Sequence, residues 1–457
     1  MERYGVITEM YAYVAFLVVI LTYGMETAYF RFQSKKENKH VEVFSTVLFS
    51  LFISTSIFWF VSTVFSQSIA DFINYPDNQE YVVWFAIIVG LDAISSIPLA
   101  RLRIENKAFQ FAAINFASIL VNIGLNVFWV GYCIPAHEKG VSNFLIEYLY
   151  SPDIGVGYVF LANLFASIVK FLLLSPLMLK VKAIFNRKML KSMLLYGSPL
   201  LISSLAIIVN ESADKILLKW LLIDKLGVDG ATREVGIYGA VYKLSIIITL
   251  FIQAFRYAAE PFFFNESQSK DAPKTYAMVM KYFTIVCAFI FIGVMLYLDM
   301  LKHFISNDAY YVGLHVVPIL LFANIFLGMF YNLSIWYKLS GKTRFGAYIA
   351  SFGALLTIGL NFWLIPIVGY TGSAWATLIC YGSMVVLSYW FGQKYYPIPY
   401  PLAKILFYLI IALGIYVLSI ALDLQNTWTK YGIHTLLLFS YIGIVLALEK
   451  PKKGLIS

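Results

Sequence analysis

Apolar runs of about 20 residues, each bounded by polar clusters, recur along the whole chain, and that is the length a helix needs to cross a hydrocarbon core. They predict helices over residues 5–30, 41–65, 80–101, 107–132, 156–177, 197–222, 237–264, 275–300, 311–337, 344–366, 370–392, 402–422 and 431–448. No stretch alternates apolar and polar residues between turns as the strands of an outer-membrane barrel do. The pattern therefore predicts an all-α polytopic membrane protein. Length agrees: 457 residues, at roughly 35 per span and short loop, make about 13 crossings and leave no sizeable soluble domain. Composition points the same way, with 60% hydrophobic residues, 13% charged ones and a mean hydropathy of +0.77.

The net charge of +9 would raise the question of a nucleic-acid partner in a soluble chain. Here the positions answer it. Cations gather in alternate loops: Arg31, Lys35, Lys36 and Lys39; Arg101, Arg103 and Lys107; Lys180, Lys182, Arg187, Lys188 and Lys191; Lys270 and Lys274; Lys338, Lys342 and Arg344; Lys394 and Lys404; and the tail with Lys450, Lys452 and Lys453. By the positive-inside bias these loops are cytoplasmic, as is the C-terminus. The loops between them are acidic or neutral, as at 66–79, 133–155 and 223–236. The basic balance is thus membrane topology, and no nucleic acid is expected. An odd number of spans then puts Met1 outside, with no basic segment or cleavage site ahead of it to suggest a removed signal peptide. Cys133, Cys287 and Cys380, and the five histidines, are too scattered for a disulfide framework or a metal site.

The chain also repeats itself at an offset of about 234 residues. YGVITEMYAYVAFLVVILTYGMETAYF from Tyr4 aligns without gaps on YGAVYKLSIIITLFIQAFRYAAEPFFF from Tyr238, with identities at Tyr4/Tyr238, Gly5/Gly239, Tyr23/Tyr257, Glu26/Glu260 and Phe30/Phe264. IGLN at Ile123–Asn126 recurs at Ile358–Asn361. Parallel repeats of this kind mark transporters. The expected organisation is an N-terminal bundle over 1–180, a C-terminal bundle over 190–394 and an additional helix pair over 400–449. The second bundle has six helices and the first five, so the repeat predicts that the first helix is missing ahead of residue 1. A late-started reading frame is the preferred explanation over a genuine N-outside architecture.

The segments YGVITEMYAYVAF, LTYGMETAYFRF, VNESADKILLKWLL, GIYGAVYKLSIIITLFIQAFRYAAEPFFF and NLSIWYKLSGKTRFGAYI, with IGLNFWLIPIVGYTGSAWATLICY, resemble the Wzx-like oligosaccharide flippases of the MOP superfamily, relatives of lipid II flippases and MATE transporters. The resemblance covers nearly the whole chain. It implies fourteen helices, two bundles of six plus two, and a central cavity opening alternately to either side; this chain departs from it by the missing helix.

Charged residues inside spans are costly unless they face a cavity or a partner, so each is a candidate. Glu211, Asp214, Lys215 and Lys219 fall at i, i+3, i+4 and i+8 on one stripe of helix 197–222. They read either as an internal Glu211–Lys215 pair or as the polar wall of a substrate cavity, with Lys219 near enough to the interface to snorkel. Helix 237–264 carries Lys243, Arg256 and Glu260, and the repeat pairs Lys243 with Glu9. Glu9 and Lys243 are gating candidates, against the plain alternative that each is solvated in a vestibule. Glu26 and Glu260 are read as lying at helix C-terminal ends, where the dipole disfavours an anion. Their nearest cations in sequence are Arg31 and Arg256. Asp92, with no charged neighbour within a turn, is either a protonatable coupling site or a neutral, hydrogen-bonded acid.

A polyprenyl-diphosphate-linked oligosaccharide needs cations for its diphosphate, a cavity for its sugars and a lateral opening for its tail. Lys215, Lys219, Lys243 and Arg256 are the candidate phosphate ligands, with Glu211 and Asp214 beside them. The expected function is flipping of this lipid across the bacterial inner membrane for cell-surface polysaccharide synthesis, by a monomer, with membrane lipid as solvent and H+ or Na+ as candidate coupling ions. No cofactor, metal or catalytic residue is expected. The alternatives are a MATE-like cation-coupled exporter and a membrane glycosyltransferase or ligase of the same pathway. The first expects a negative cavity. The second needs a catalytic loop, and 133–155 offers only His137, Glu138, Glu147 and Asp153. No P-loop is present, which argues against an ATP-driven pump.

Overall fold

The computed structural model describes residues 2–33, 40–141, 143–179, 184–267, 269–305, 307–422 and 426–449. Its principal helices are α1 (Glu2–Thr22), α2 (Met25–Gln33), α3 (His40–Val64), α4 (Gln79–Ile104), α5 (Ala108–Asn126), α6 (Gly157–Leu179), α7 (Arg187–Glu266), α8 (Ala272–Leu296), α9 (Val317–Leu333), α10 (Arg344–Val368), α11 (Tyr370–Tyr395), α12 (Leu402–Ala421) and α13 (Thr427–Leu448). No strand occurs among the described residues. Among the described residues twelve helical segments are long and apolar enough to cross a membrane, one of them the 70-residue stretch Arg187–Arg256. At 1.5 Å per residue a straight helix of that length would measure about 105 Å, over three times the hydrocarbon thickness. It is interrupted at Gly227, whose φ of 72° and ψ of 173° are not helical. Counted as two passes, it brings the twelve segments to thirteen, at the positions the apolar runs predict.

Two local expectations are corrected. The 223–236 connection is helical on both sides of Gly227 rather than an open loop. The 5–30 span is broken: α1 ends at Thr22, Tyr23 and Gly24 take φ of 32° and 73°, and α2 starts at Met25. Gly24 is required there twice over, since its φ suits glycine and a Cβ would lie 2.7 Å from the Gly197 carbonyl oxygen.

The chain divides into two compact units, Glu9–Ile208 and Met1–Thr8 with Val209–Ser457. In the first, α4 packs against α3 and α6, and α5 lies along α6. Ile94, Ile97 and Ala100 meet Val43, Val47 and Leu51 in a fully buried core. Trp59 donates its indole N–H to the Ala86 carbonyl at 2.8 Å, a close approach that Gly90 permits because a Cβ would fall 2.2 Å from that nitrogen.

In the second unit, α11 packs against α9 and α10. Val235, Tyr238, Phe291, Leu320 and Ile365 share its core. The repeat-matched glycines mark a helix crossing there: a Cβ on Gly5 would fall 2.0 Å from the Thr232 carbonyl oxygen, and one on Gly239 would fall 2.4 Å from Thr8 Oγ1. The helix pair α12 and α13 docks on α8. At its end Glu449 accepts hydrogen bonds from Lys404 (2.8 Å) and Tyr408 (2.9 Å) and pairs with Lys281. Burial pushes the Glu449 carboxyl upward, but the hydrogen bonds from Lys281, Lys404 and Tyr408 outweigh it and bring its pKa down to about 2. Cys133, Cys287 and Cys380 are buried and form no disulfide.

Candidate functional site

The charged stripe of α7 folds into the interior of the second unit. Asp214 is 2% exposed and its carboxylate is fully engaged. Oδ1 accepts from the Lys215 backbone N–H at 2.8 Å and from Lys215 Nζ at 3.1 Å, while Oδ2 accepts from the Tyr238 hydroxyl at 2.7 Å. Lys215 Nζ also donates to the Glu211 carbonyl at 2.8 Å and stands 4.7 Å from the Tyr242 ring centroid. The expected Glu211–Lys215 ion pair is thus replaced by Asp214–Lys215. Glu211 accepts instead from the Tyr331 hydroxyl at 3.3 Å. Lys219, expected to snorkel, is instead 0% exposed, buried within the unit. Lysine and carboxylate thus neutralise each other in this layer, as buried charges must.

Nearer the end of the second unit's bundle the balance changes. A cleft between α7 and α9 is lined by Arg256, Tyr331, Asn332, Ser334 and Lys338 together with Ile252, Phe255 and Phe263. Arg256 lies over the Tyr331 ring at 4.9 Å. Asn332 is 3% exposed, and its amide Nδ2 has no hydrogen-bond acceptor among the described residues. A buried donor left unmatched costs about 1–3 kcal/mol, so a cleft whose described lining holds two cations and an idle N–H₂ group offers donors to an anion. Arg256 was legible as a candidate. Lys338 reads in sequence as one more loop cation; it lies in the short helix Ile335–Leu339 that follows α9, and only the tertiary fold brings it to the cleft. Lys243 lies apart from this cleft, 4.2 Å from the Tyr4 ring centroid.

In the first unit Glu9 is fully buried and accepts hydrogen bonds from Tyr13 (3.0 Å) and Tyr75 (2.6 Å). Glu26 is corrected in two respects. The break at Tyr23–Gly24 puts it in the first turn of α2, where the dipole favours an anion, and its ion-pair partner is Arg103. Arg31 lies over the Tyr196 ring at 4.1 Å. Asp92 is not a solitary acid: Lys170 of α6 approaches its Oδ1 to 2.7 Å and Ser167 donates to the same oxygen at 3.0 Å. Reading one turn either side of Asp92 could not find a partner on another helix. The Glu260 side chain lies outside the described residues, as do Lys35, Lys36, Lys39, Lys180, Lys182 and the lysines of the tail.

The family described as polysaccharide biosynthesis protein has a model that matches residues 1–267. Among solved structures the chain is similar to the lipid II flippase MurJ in an inward closed conformation, at 14% identity and a TM-score of 0.66, over 98% of this chain and 97% of that one. It is similar to a multidrug resistance MATE family transporter of the MOP superfamily in its inward-facing conformation, at 14% identity and 0.66, over 86% of this chain and 89% of the other. The outward-facing conformation of such a transporter matches at 14% and 0.55, over 86% of each. At these identities the likeness is one of fold. No match was found among curated protein sequences.

Proposed function

The chain belongs to the polysaccharide biosynthesis protein family and has the fold of MOP-superfamily flippases and transporters, and from that premise we propose that it flips a polyprenyl-diphosphate-linked oligosaccharide across the bacterial inner membrane, with its C-terminus cytoplasmic. The observation that carries this reading is the cleft of Arg256, Lys338 and the unmatched Asn332 amide. A diphosphate entering the bilayer loses its hydration shell, and Arg256 can replace it with a fixed fork of N–H donors. Lys338 adds a flexible point charge. Lys243 takes the part of a further cation met along the same unit, while the half-buried Glu211 and Lys215 are the members of the α7 cluster that can meet the sugars, and the buried Asp214 and Lys219 balance the charge of that layer. Glu9, Glu26 and Glu260 are proposed to act in gating. The apolar side of the cleft, Ile252, Phe255 and Phe263, suits the start of the lipid tail.

A MATE-like exporter of cationic compounds shares the fold, but the two cations among the described residues that line the cleft disfavour its cargo. Deletion of the gene and return of an Arg256→Gln, Lys338→Gln variant tests the proposal. The expected result is lipid-linked oligosaccharide held on the cytoplasmic leaflet and surface polysaccharide reduced at least tenfold, with normal amounts of inserted protein. Normal surface polysaccharide in the deletion strain would overturn the function, and normal export by the variant would remove the cleft from it.

A further inference from the structure

Asp92 and Lys170 meet at mid-membrane depth with hydrogen-bonding capacity left over. Asp92 is about 20 Å along α4 and Lys170 about 20 Å along α6, at 1.5 Å per residue. Asp92 Oδ1 receives both Lys170 Nζ and the Ser167 hydroxyl, and among the described residues nothing donates to Oδ2. Lys170 commits to Asp92 at 2.7 Å, and an ammonium has three protons to give. The two side chains are 28% and 18% exposed. Charges facing lipid at this depth are strongly disfavoured, so the open side of the pair faces water within the bundle.

The surroundings are polar in a patterned way. Asn163, Ser167 and Lys170 fall at i, i+4 and i+7 on one face of α6. Tyr11 comes to the neighbouring turn from α1: its ring packs edge-on at 5.9 and 6.3 Å against Phe85 and Phe160, which precede Asp92 on α4 and Asn163 on α6. The pair sums to zero charge. A phosphate at Lys170 would sit within a few ångströms of the Asp92 carboxylate and be repelled, whereas a neutral polyol upsets no charge balance.

We infer that Asp92, Lys170, Asn163 and Tyr11 form a sugar-recognition subsite for the glycan of the transported lipid, separate from the cationic cleft; this rests on the flippase reading. Asp92 Oδ2 accepts from one sugar hydroxyl while Lys170 donates to the oxygen of its neighbour. Asn163 and the Tyr11 hydroxyl extend the contact to a second pair of ring substituents. Mixed donors and acceptors around a charged core select for hydroxyls, since each hydroxyl both gives and takes a hydrogen bond.

The test uses the full chain in lipid nanodiscs and two probes: sugar-free undecaprenyl diphosphate, and the lipid-linked oligosaccharide pool extracted from the deletion strain. The isosteric Asp92→Asn variant is expected to bind the glycan-bearing pool at least tenfold more weakly while holding undecaprenyl diphosphate within twofold. A second variant, Asp92→Leu with Lys170→Met, removes both charges together, so it leaves no unpaired ion to disturb folding. It is expected to lose the glycan-bearing pool and keep the sugar-free lipid. Unchanged binding of the pool by Asp92→Asn, or equal weakening toward both probes, overturns the subsite and leaves the flippase reading standing. Failure of the wild-type protein to bind either probe overturns both.

Discussion

Replacing Asp214 by Leu isolates the contribution of the acid at the centre of the α7 cluster. The side chain keeps its fork at Cγ, with two somewhat larger methyl groups in place of the oxygens, and loses three hydrogen bonds, from the Lys215 N–H, Lys215 Nζ and the Tyr238 hydroxyl. Lys215, 13% exposed, keeps the Glu211 carbonyl at 2.8 Å and the rings of Tyr242 and Tyr238, with centroids at 4.7 and 6.0 Å. Breaking a buried ion pair from one side costs about 3–5 kcal/mol. The surviving contacts argue for the lower end, about 3 kcal/mol, or about two powers of ten in the folding equilibrium. In a unit of this size that lowers the unfolding midpoint by on the order of 10 °C. The assay is thermal unfolding in one detergent for wild type, Asp214→Leu, Lys215→Met and the double variant. The double variant should lie well above Asp214→Leu, because the stranded cation is gone along with its partner. A single-variant loss under about 2 °C, or a double variant no better than Asp214→Leu, would refute the pairing and return Lys215 to Glu211 or to water.

Gly24→Ala should destabilise the first unit by about 1–3 kcal/mol, because it meets a left-handed backbone and the Gly197 carbonyl 2.7 Å away. Gly140→Ala, with φ of 72° but nothing within 4 Å, is the comparison, and should lose less in the same melt. Glu449→Gln should loosen α12 and α13 from α8, read as faster proteolysis of the C-terminal helices. With a folded pKa of about 2 below the unfolded value of about 4.3, the Glu449 contribution is fully present above about pH 4.3 and lost as pH falls toward 2. The variant should therefore show a flatter acid-stability profile across that window. Arg103→Gln should weaken α2 at low salt more than Arg31→Gln does, since Glu26 pairs with Arg103; equal effects would contradict the pairing.

How much could be read without coordinates varies with the range of the interaction. The spans were legible because the hydrocarbon core imposes one length on every helix, and the repeat at Tyr4 and Tyr238 marked the helices that meet at Gly5 and Gly239. Candidate residues were legible as types, since any charge in a span stands out, and Arg256 and Asp214 were found that way. Their partners were not. Lys215 has acids at i−4 and i−1 on its own helix, and spacing favoured the i−4 neighbour, whereas the side-chain rotamer selects Asp214.

Sequence by itself determined the all-helical membrane class, the number and placement of the crossings and the set of charges that need an explanation, because each depends on residues within one helix or loop. The tertiary structure alone decided which charges meet. Glu26 joins Arg103 across 77 residues, and Asp92 joins Lys170 from another helix, contacts set by how helices pack. The same is true of Glu26's dipole: a two-residue break at Tyr23 and Gly24, where the Gly197 backbone comes close, turns a helix end into a helix start. An apolar run shows that a helix must cross the membrane, but its direction at each turn and its neighbours are fixed only by packing.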